Sequence, residues 1–569
     1  MSESVIAPGR TTLVGYRSLT KIRLDFVAVL IFSAIVAAYF WFITNFGANT
    51  IWIDQWSDLN LIQHAFSGHL TFSALWAPHH GNRILFPNLV VLLLAEVTHF
   101  NVKSEEFLSG LTLAGATAVL IVGHRRRTLA PWILYVPLAI VMLSFDGYGN
   151  TLWGFQFAWY LLLLALSAAL VLCDHPTWGW PVFIGAIAAG VVGSYSSLQG
   201  LLIWPAGLVI LLLRRRPFPF WMAWIGSAAL TSVLYFLNWN DDGTAGDNYI
   251  LHHPIHGLRF FFFSVGNVFG SSGGNGAVVL GVLIVGAALW LTVSSVLKSR
   301  DEAAPLGVGL ICFGLLFALT ITIGRGGAGL NAGGGRYLTF DLLTLVGCYL
   351  LIVGRVRVTS ATGRSEEVLW WASTIIVGIS VVLVLIPGVT NGLDGARSLR
   401  ASQNQASRVI ANMRAAPDEM VERVLIGIGN WFLVPQTRDL ASFARQNHLT
   451  LFASSSTVND LVNSGLPYSH SSLTTTLFPI KDDAMGVVHL LAFAQSDYGV
   501  EKLQFEIKEP SGRRERLNAI DSVYGWIGTW NTIPLPDGRY RVQSLATDHA
   551  SDRATSPSLS VNVENNPGG

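Results

Sequence analysis

A mainly helical, polytopic membrane protein with a small β-sandwich near its C-terminal end is the fold class that the sequence predicts, on three observations. The 569-residue chain is 51% hydrophobic and only 12% charged, where a soluble domain carries about 25% charged residues. Its apolar residues gather in long runs, several of them near the roughly 20 residues that cross the hydrocarbon of a bilayer. Past residue 486 these runs give way to alternating strand patterns broken by Pro-Ser-Gly and Pro-Asp-Gly turns.

The formal net charge of +1 gives no reason to expect a nucleic-acid partner. Cys173, Cys312 and Cys348 lie in or at the ends of apolar runs without metal-ligand spacing, so no disulfide framework is expected. The start M-S-E-S-V-I-A-P-G-R lacks the apolar core of a signal peptide, and the first apolar run is expected to stay as an anchor. The 19 tryptophans suit a chain with many membrane-interface positions.

Lys and Arg collect in cytoplasmic loops. Arg10, Arg17, Lys21 and Arg23 therefore place the N-terminus in the cytoplasm, and Phe26 to Phe46 leads out. Ile84 to Phe100 and Phe107 to Val122 cannot both cross, because the second ends in His124-Arg125-Arg126-Arg127, an inside signal. The first is read as a juxtamembrane helix on the outer face. Spans then follow at Trp132 to Phe145, Trp153 to Cys173, Val182 to Tyr195, Leu201 to Leu213 (ending at Arg214-Arg215-Arg216) and Phe220 to Leu237. The aromatic run Arg259 to Phe269 meets the same parity test and is placed on the outer face. Ala277 to Leu297, Leu306 to Ile323, Tyr337 to Val353 and Val368 to Ile386 complete about eleven spans. Everything after Pro387 is then extracytoplasmic. The expected division is a transmembrane domain over 1–387, a helical and mixed region over 388–485, and a β-sandwich-like domain over 486–569. In the last, P-D-G-R-Y-R-V-Q-S-L-A-T-D resembles a late strand pair of bacterial immunoglobulin-like or fibronectin-type modules.

By this topology the polar clusters fall in outer loops, and the inner loops hold mainly arginines. Trp52 to Pro87 gathers Asp54, Asp58, His64, His79, His80, Asn82 and Arg83 beside the first span. D-G-Y-G-N-T-L-W-G-F-Q holds Asp146 and Gln156, S-S-L-Q-G holds Gln199, and G-R-G-G-A-G-L-N-A-G-G-G-R-Y holds Arg325, Arg336 and Tyr337. Asp54 and Asp58 share a face if the segment is helical, and a carboxylate at the membrane edge can act as general base on a hydroxyl. Asp58 is equally read as a helix N-cap. Guanidinium groups suit a phosphate. The residues expected to bind substrate are His79, His80, Arg83, Gln156, Arg325, Arg336 and Tyr337, whereas His252, His253 and His256 are read as solvated loop residues.

The first span, an outer loop with an early aspartate, H-H-G-N-R-I-L-F-P opening a juxtamembrane helix, and a second span ending in arginines together resemble the GT-C class of membrane glycosyltransferases, among them aminoarabinose transferases and protein mannosyltransferases. L-W-G-F-Q, G-L-L-I-W-P-A-G-L and R-Y-L-T-F also resemble motifs of a set of bacterial glycosyltransferase-like membrane proteins. The resemblance implies Asp54 as base or acceptor-orienting acid, and Arg336 with Arg83 holding the phosphate of a lipid-linked donor. The chain departs from the pattern where Gln55 follows Asp54 in place of a second acid, which leaves a divalent cation as an open cofactor.

The expected protein is a multi-pass enzyme of the bacterial inner membrane. It would transfer a sugar from a polyprenyl-phosphate carrier to an extracytoplasmic glycan or lipid acceptor in cell-envelope polysaccharide synthesis or modification. A glycan polymerase or ligase with a lipid-linked donor is the first alternative. A lipid-glycan transporter or flippase is the second, and would call for mid-span charges and internal repeats.

Overall fold

The computed structural model describes residues 11–239, 249–267, 274–297, 304–326, 337–359, 364–422, 425, 433–466, 473–480, 483–496, 499–522, 525–549 and 551–565. It forms two compact units, Met1–Thr50 with Ser57–Ser402, and Ile51–Trp56 with Gln403–Gly569.

The first unit is helical. After α1 (Thr11–Phe46) come α2 (Gln55–Phe66), α3 (Phe72–Trp76), a hairpin of β1 (Pro78–His79) and β2 (Asn82–Arg83), and α4 (Leu85–Thr98). There follow α5 (Val102–Thr128), α6 (Val136–Met142), α7 (Tyr148–Thr151), α8 (Phe157–Cys173), α9 (Trp180–Ser194), α10 (Ile203–Leu213) and α11 (Phe218–Phe236). Short α12 (Tyr249–His252) leads to α13 (Pro254–Gly266), α14 (Gly274–Leu297), α15 (Ala304–Arg325), α16 (Leu338–Thr359) and the long α17 (Arg364–Ala411), which continues into the second unit.

Eight helical stretches among the described residues are long and apolar enough to cross a membrane: Asp25–Phe46, Val102–Thr128, Trp132–Thr151, Gly154–Cys173, Phe218–Phe236, Gly274–Leu297, Ala304–Arg325 and Leu338–Arg355. They fall on eight of the expected spans. Two more expected spans fall on the shorter apolar helices Trp180–Ser194 and Leu198–Leu213. The 15 residues of α9 cover about 22 Å at the usual rise, less than a hydrocarbon core of about 30 Å. The last expected span lies inside α17.

The two runs read as juxtamembrane, α4 and α13, have 14 and 13 residues, too few to cross. On α4, Pro87, Asn88, Val91 and Ala95 are buried along one face, and Leu89, Leu93 and Val97 lie exposed on the other. An exposed apolar face suits a helix lying against lipid. Its counterpart α13 touches α14 backbone to backbone. A Cβ on Gly281 would stand 1.8 Å from the Phe262 carbonyl oxygen, so only glycine permits the approach.

The bundle has two chemically different ends. At one, Asp174, which caps α8, is 3% exposed and pairs with Arg214 Nε at 2.5 Å. Arg127 from the end of α5 donates to its carbonyl, and Arg216 donates to the His175 carbonyl at 2.7 Å. The two arginine triplets thus meet, as the loop parity requires. At the opposite end of α8, Phe155 reaches the β1–β2 hairpin.

The second unit joins the end of α17 to α18 (Asp418–Val421), α19 (Val434–Gln446) and α20 (Ser455–Asn463), followed by two packed sheets. Their strands are β3 (Thr474–Leu477), β4 (Asp483–Ala484), β5 (Val487–Gln495), β6 (Val500–Lys508), β7 (Arg514–Asn518), β8 (Ile520–Ser522), β9 (Gly525–Asn531), β10 (Gly538–Asp548), β11 (Arg553–Thr555) and β12 (Leu559–Val563). One sheet has the order β4-β12-β10-β6-β7 with β11 also on β10, and the other β3-β5-β9-β8. Leu490, Leu503, Phe505, Ile507, Trp530, Tyr540, Val542 and Val561 form the core between them.

Two expectations change here. The segment read as a strand pair is one strand, β10, because Tyr540, Val542, Ser544, Ala546 and Asp548 alternate inward without a break. The sheets also begin at Thr474, before residue 486, since T-T-T-L pairs antiparallel with Ala492 to Gln495.

Breaking a buried ion pair by removing one partner costs about 3–5 kcal/mol. Asp174→Ala is accordingly expected to lower the unfolding free energy by about 3 kcal/mol, whereas Asp394→Ala, whose partner Arg397 is exposed, should change it by less than about 1 kcal/mol. Thermal unfolding of the detergent-solubilised protein checks this, and equal shifts would remove the buried cluster from the account.

Candidate active site

The H-H-G-N-R segment forms the tight β1–β2 hairpin, with Pro78 opposite Arg83 and His79 opposite Asn82. Its two turn residues, His80 and Gly81, both have positive φ, 47° and 74°. That is the pattern of a type I′ turn, in which glycine is favoured. The turn carries the His79 and His80 rings side by side, their centroids 4.5 Å apart, with His79 against Phe155 at 4.9 Å. Two imidazoles so placed can give nitrogens to one divalent cation or N–H groups to a phosphate.

Three anchors fix this hairpin. The Asn82 carboxamide oxygen accepts from the Leu198 backbone N–H at 2.9 Å and the Ser197 hydroxyl at 3.2 Å, while its nitrogen donates to the His80 carbonyl at 3.0 Å. The Gly81 carbonyl accepts from Trp239 Nε1 at 3.0 Å and the Tyr235 hydroxyl at 3.2 Å. Arg83, 1% exposed, donates to the backbone carbonyls of Trp76, Tyr235 and Leu237. Its guanidinium also lies 4.8 Å from the centroid of the Trp76 ring. Burial pulls the Arg83 pKa down from its ordinary value, and the Tyr235 and Tyr195 hydroxyls oppose that shift. It remains a cation at neutral pH because arginine starts far above it.

These anchors join four stretches far apart in sequence: the hairpin, L-W-G-F-Q through Phe155, S-S-L-Q-G through Ser197 and Leu198, and the end of α11 through Tyr235 and Trp239. Gln156 is buried, its carboxamide oxygen without a hydrogen-bond partner among the described residues. Gln199 accepts from the Ser197 hydroxyl.

The remaining candidates lie on other stretches of the chain. Asp54 belongs to the Ile51–Trp56 stretch of the second unit, half-buried in a turn one residue before α2. It does not share a helical face with Asp58. Ile53 has a positive φ of 46°, and the helix starts only at Gln55. Asp58 lies in the first turn of α2, 3% exposed, rather than at its cap. Arg325 ends α15 with its side chain exposed. Arg336 lies outside the described residues. Tyr337 is buried against Trp159 and Phe317, with ring centroids 5.6 and 6.3 Å away.

Sequence reasoning missed a charged cluster at the same end of the bundle. Buried Glu106, near the start of α5, accepts from the Ala48 N–H at 3.3 Å, and its other oxygen has no partner among the described residues. Lys103 donates to the Thr44 carbonyl at 2.7 Å, and Arg400 donates to the Gly47 carbonyl. A Cβ on Gly47 would stand 2.0 Å from Glu106 Oε2. K-S-E-E opening a membrane span was the available signal. Asp341 was missed too: it is buried in the first turn of α16 and accepts from the Ser264 hydroxyl at 3.1 Å.

Arg83→Ala strands one buried and two part-buried carbonyls, and a buried unsatisfied group costs about 1–3 kcal/mol, so a loss of at least about 1 kcal/mol is expected. Arg83→Lys should rescue little of it, because an ammonium lacks the planar fork. Chemical denaturation measures both, and full rescue by lysine would show that the fork is not what the hairpin requires.

No family model matches the chain, and no curated relative does. Among solved structures the chain is similar to one titled as the crystal structure of ArnT from Cupriavidus metallidurans bound to undecaprenyl phosphate, with TM-score 0.42, 12% sequence identity, and coverage of 79% of this chain and 92% of that one.

Proposed function

We propose that the protein is a glycosyltransferase of the bacterial inner membrane that moves a sugar from a polyprenyl-phosphate carrier to an extracytoplasmic glycan or lipid acceptor. The observation that supports it best is the meeting of the hairpin with three other polar or aromatic stretches at one end of an apolar bundle, opposite the arginine-rich end. The positive-inside tendency assigns the arginine end to the cytoplasm, and hence the hairpin to the outer face. A carrier lipid keeps its tail among apolar helices while its phosphate reaches that face, which is a reason for a catalyst of this type to be embedded.

Asp54 takes the proton from an acceptor hydroxyl as its oxygen bonds to the anomeric carbon. The carrier phosphate leaves with the electrons of the broken glycosidic bond. Arg325 and Arg336 stabilise that phosphate. His79 and His80 position the donor, directly or through a divalent cation, and Gln156 contributes a polar group beside them. Arg83 serves by holding the hairpin in place.

The test is transfer by the purified protein in lipid nanodiscs supplied with a polyprenyl-phosphate sugar. Asp54→Asn should lower kcat by at least about 100-fold, the scale of general-base catalysis, with its melting temperature unchanged. Wild-type turnover in that variant would remove Asp54 from the mechanism. Carrier movement across vesicles without any sugar transfer would replace the enzyme by a transporter.

A further inference from the structure

The second unit contains a cavity of about 380 Å³ between the end of α17 and one face of α19. Arg438, Ala441 and Arg445, spaced along that face, line it together with Met413, Arg414 and Phe452. The volume is near the lower end of small-molecule sites, which run from about 300 to 1,000 Å³, enough for one or two sugar rings at the end of a longer glycan.

Two of the three arginines hold the backbone together. Arg445 donates to the Ala411 carbonyl at 2.6 Å, with its guanidinium 4.7 Å from the Phe452 ring centroid. Arg438 donates to the carbonyls of Met413 and Ala416 and pairs with Asp418. Both satisfy the C-terminal end of α17, where cations are favoured. Arg414 makes no comparable contact, being exposed and without a hydrogen-bond or ion-pair partner among the described residues. The one carboxylate paired in this cluster, Asp418, is itself 72% exposed. The cavity therefore carries surplus positive charge over an apolar wall of Met413 and Phe452, a combination that suits a sugar ring bearing an anion.

We propose that this cavity binds an acidic sugar, its carboxylate or phosphate held by Arg414 and Arg445 and its ring against Met413 and Phe452. The choice of a sugar rests on the transferase reading, in which the acceptor glycan would present such a group. The cavity and its charge do not depend on that reading.

Calorimetric titration of the full chain in nanodiscs tests the site, with trigalacturonate, its methyl ester and inorganic phosphate as probes. Trigalacturonate should bind saturably, the methyl ester should not, and Arg414→Gln should weaken binding about tenfold with an unchanged melting temperature. Phosphate bound with the same Arg414 dependence, in place of trigalacturonate, would keep the site and assign it to a phosphorylated sugar. Absence of saturable binding by both anions, equal binding by Arg414→Gln, or equal binding of the ester would overturn it. The titration requires no turnover. Sugar transfer without anion binding would thus retire the cavity alone, and anion binding without sugar transfer would retire the transferase alone.

Discussion

The buried guanidinium of Arg83 is the constraint on which the candidate site depends. Three backbone carbonyls at the ends of two helical segments, one buried and two part-buried, would otherwise lose this donor, and an unsatisfied buried carbonyl is costly. Supplying them from one planar group ties α3, β2 and the end of α11 into a fixed frame. The His80–Gly81 turn can be as tight as it is because its base cannot splay. The two imidazoles are therefore positioned by backbone chemistry well away from their own rings.

Around that frame the helices sort by what they face. α11 and α14 expose Met222, Ile225, Val233, Leu283 and Trp290, residues that water would disfavour and lipid accepts. α8 and α15 are largely enclosed, and α8 links the two ends of the bundle, with Phe155 at the hairpin and Asp174 among the arginines. One end thus holds an arginine-rich cluster paired through Asp174, and the other holds hydrogen-bonding loops. That asymmetry connects the arginine triplets of the sequence to two chemically different ends of the bundle.

The membrane architecture was legible in the sequence because repeated apolar runs near 20 residues match the thickness of a bilayer and exceed what a soluble core needs. The two arginine triplets then constrained the parity of the loops. Which loops meet was not legible. Nothing in the spacing of Tyr235 and Trp239 announces that both donate to the Gly81 carbonyl. Arg83 read as a phosphate ligand because a guanidinium offers the same donors to a phosphate as to carbonyls; burial decides between them, and burial is tertiary. Asp54 and Asp58 lie four residues apart, and the start of α2 at Gln55 leaves Asp54 just outside the helix that carries Asp58. In the β-rich part, turn residues marked strand ends well, yet T-T-T-L was too short to declare itself a strand before its partner β5 was known.

The proposal rests on sidedness: we infer from the positive-inside tendency that the hairpin faces the exterior and the arginine end the cytoplasm. Single-cysteine variants made in a background lacking Cys173, Cys312 and Cys348 test it most directly with a membrane-impermeant thiol reagent. His80→Cys should react in cells with an intact inner membrane, and Arg215→Cys only after that membrane is opened. Labelling in the reverse order would place the hairpin in the cytoplasm and contradict the account.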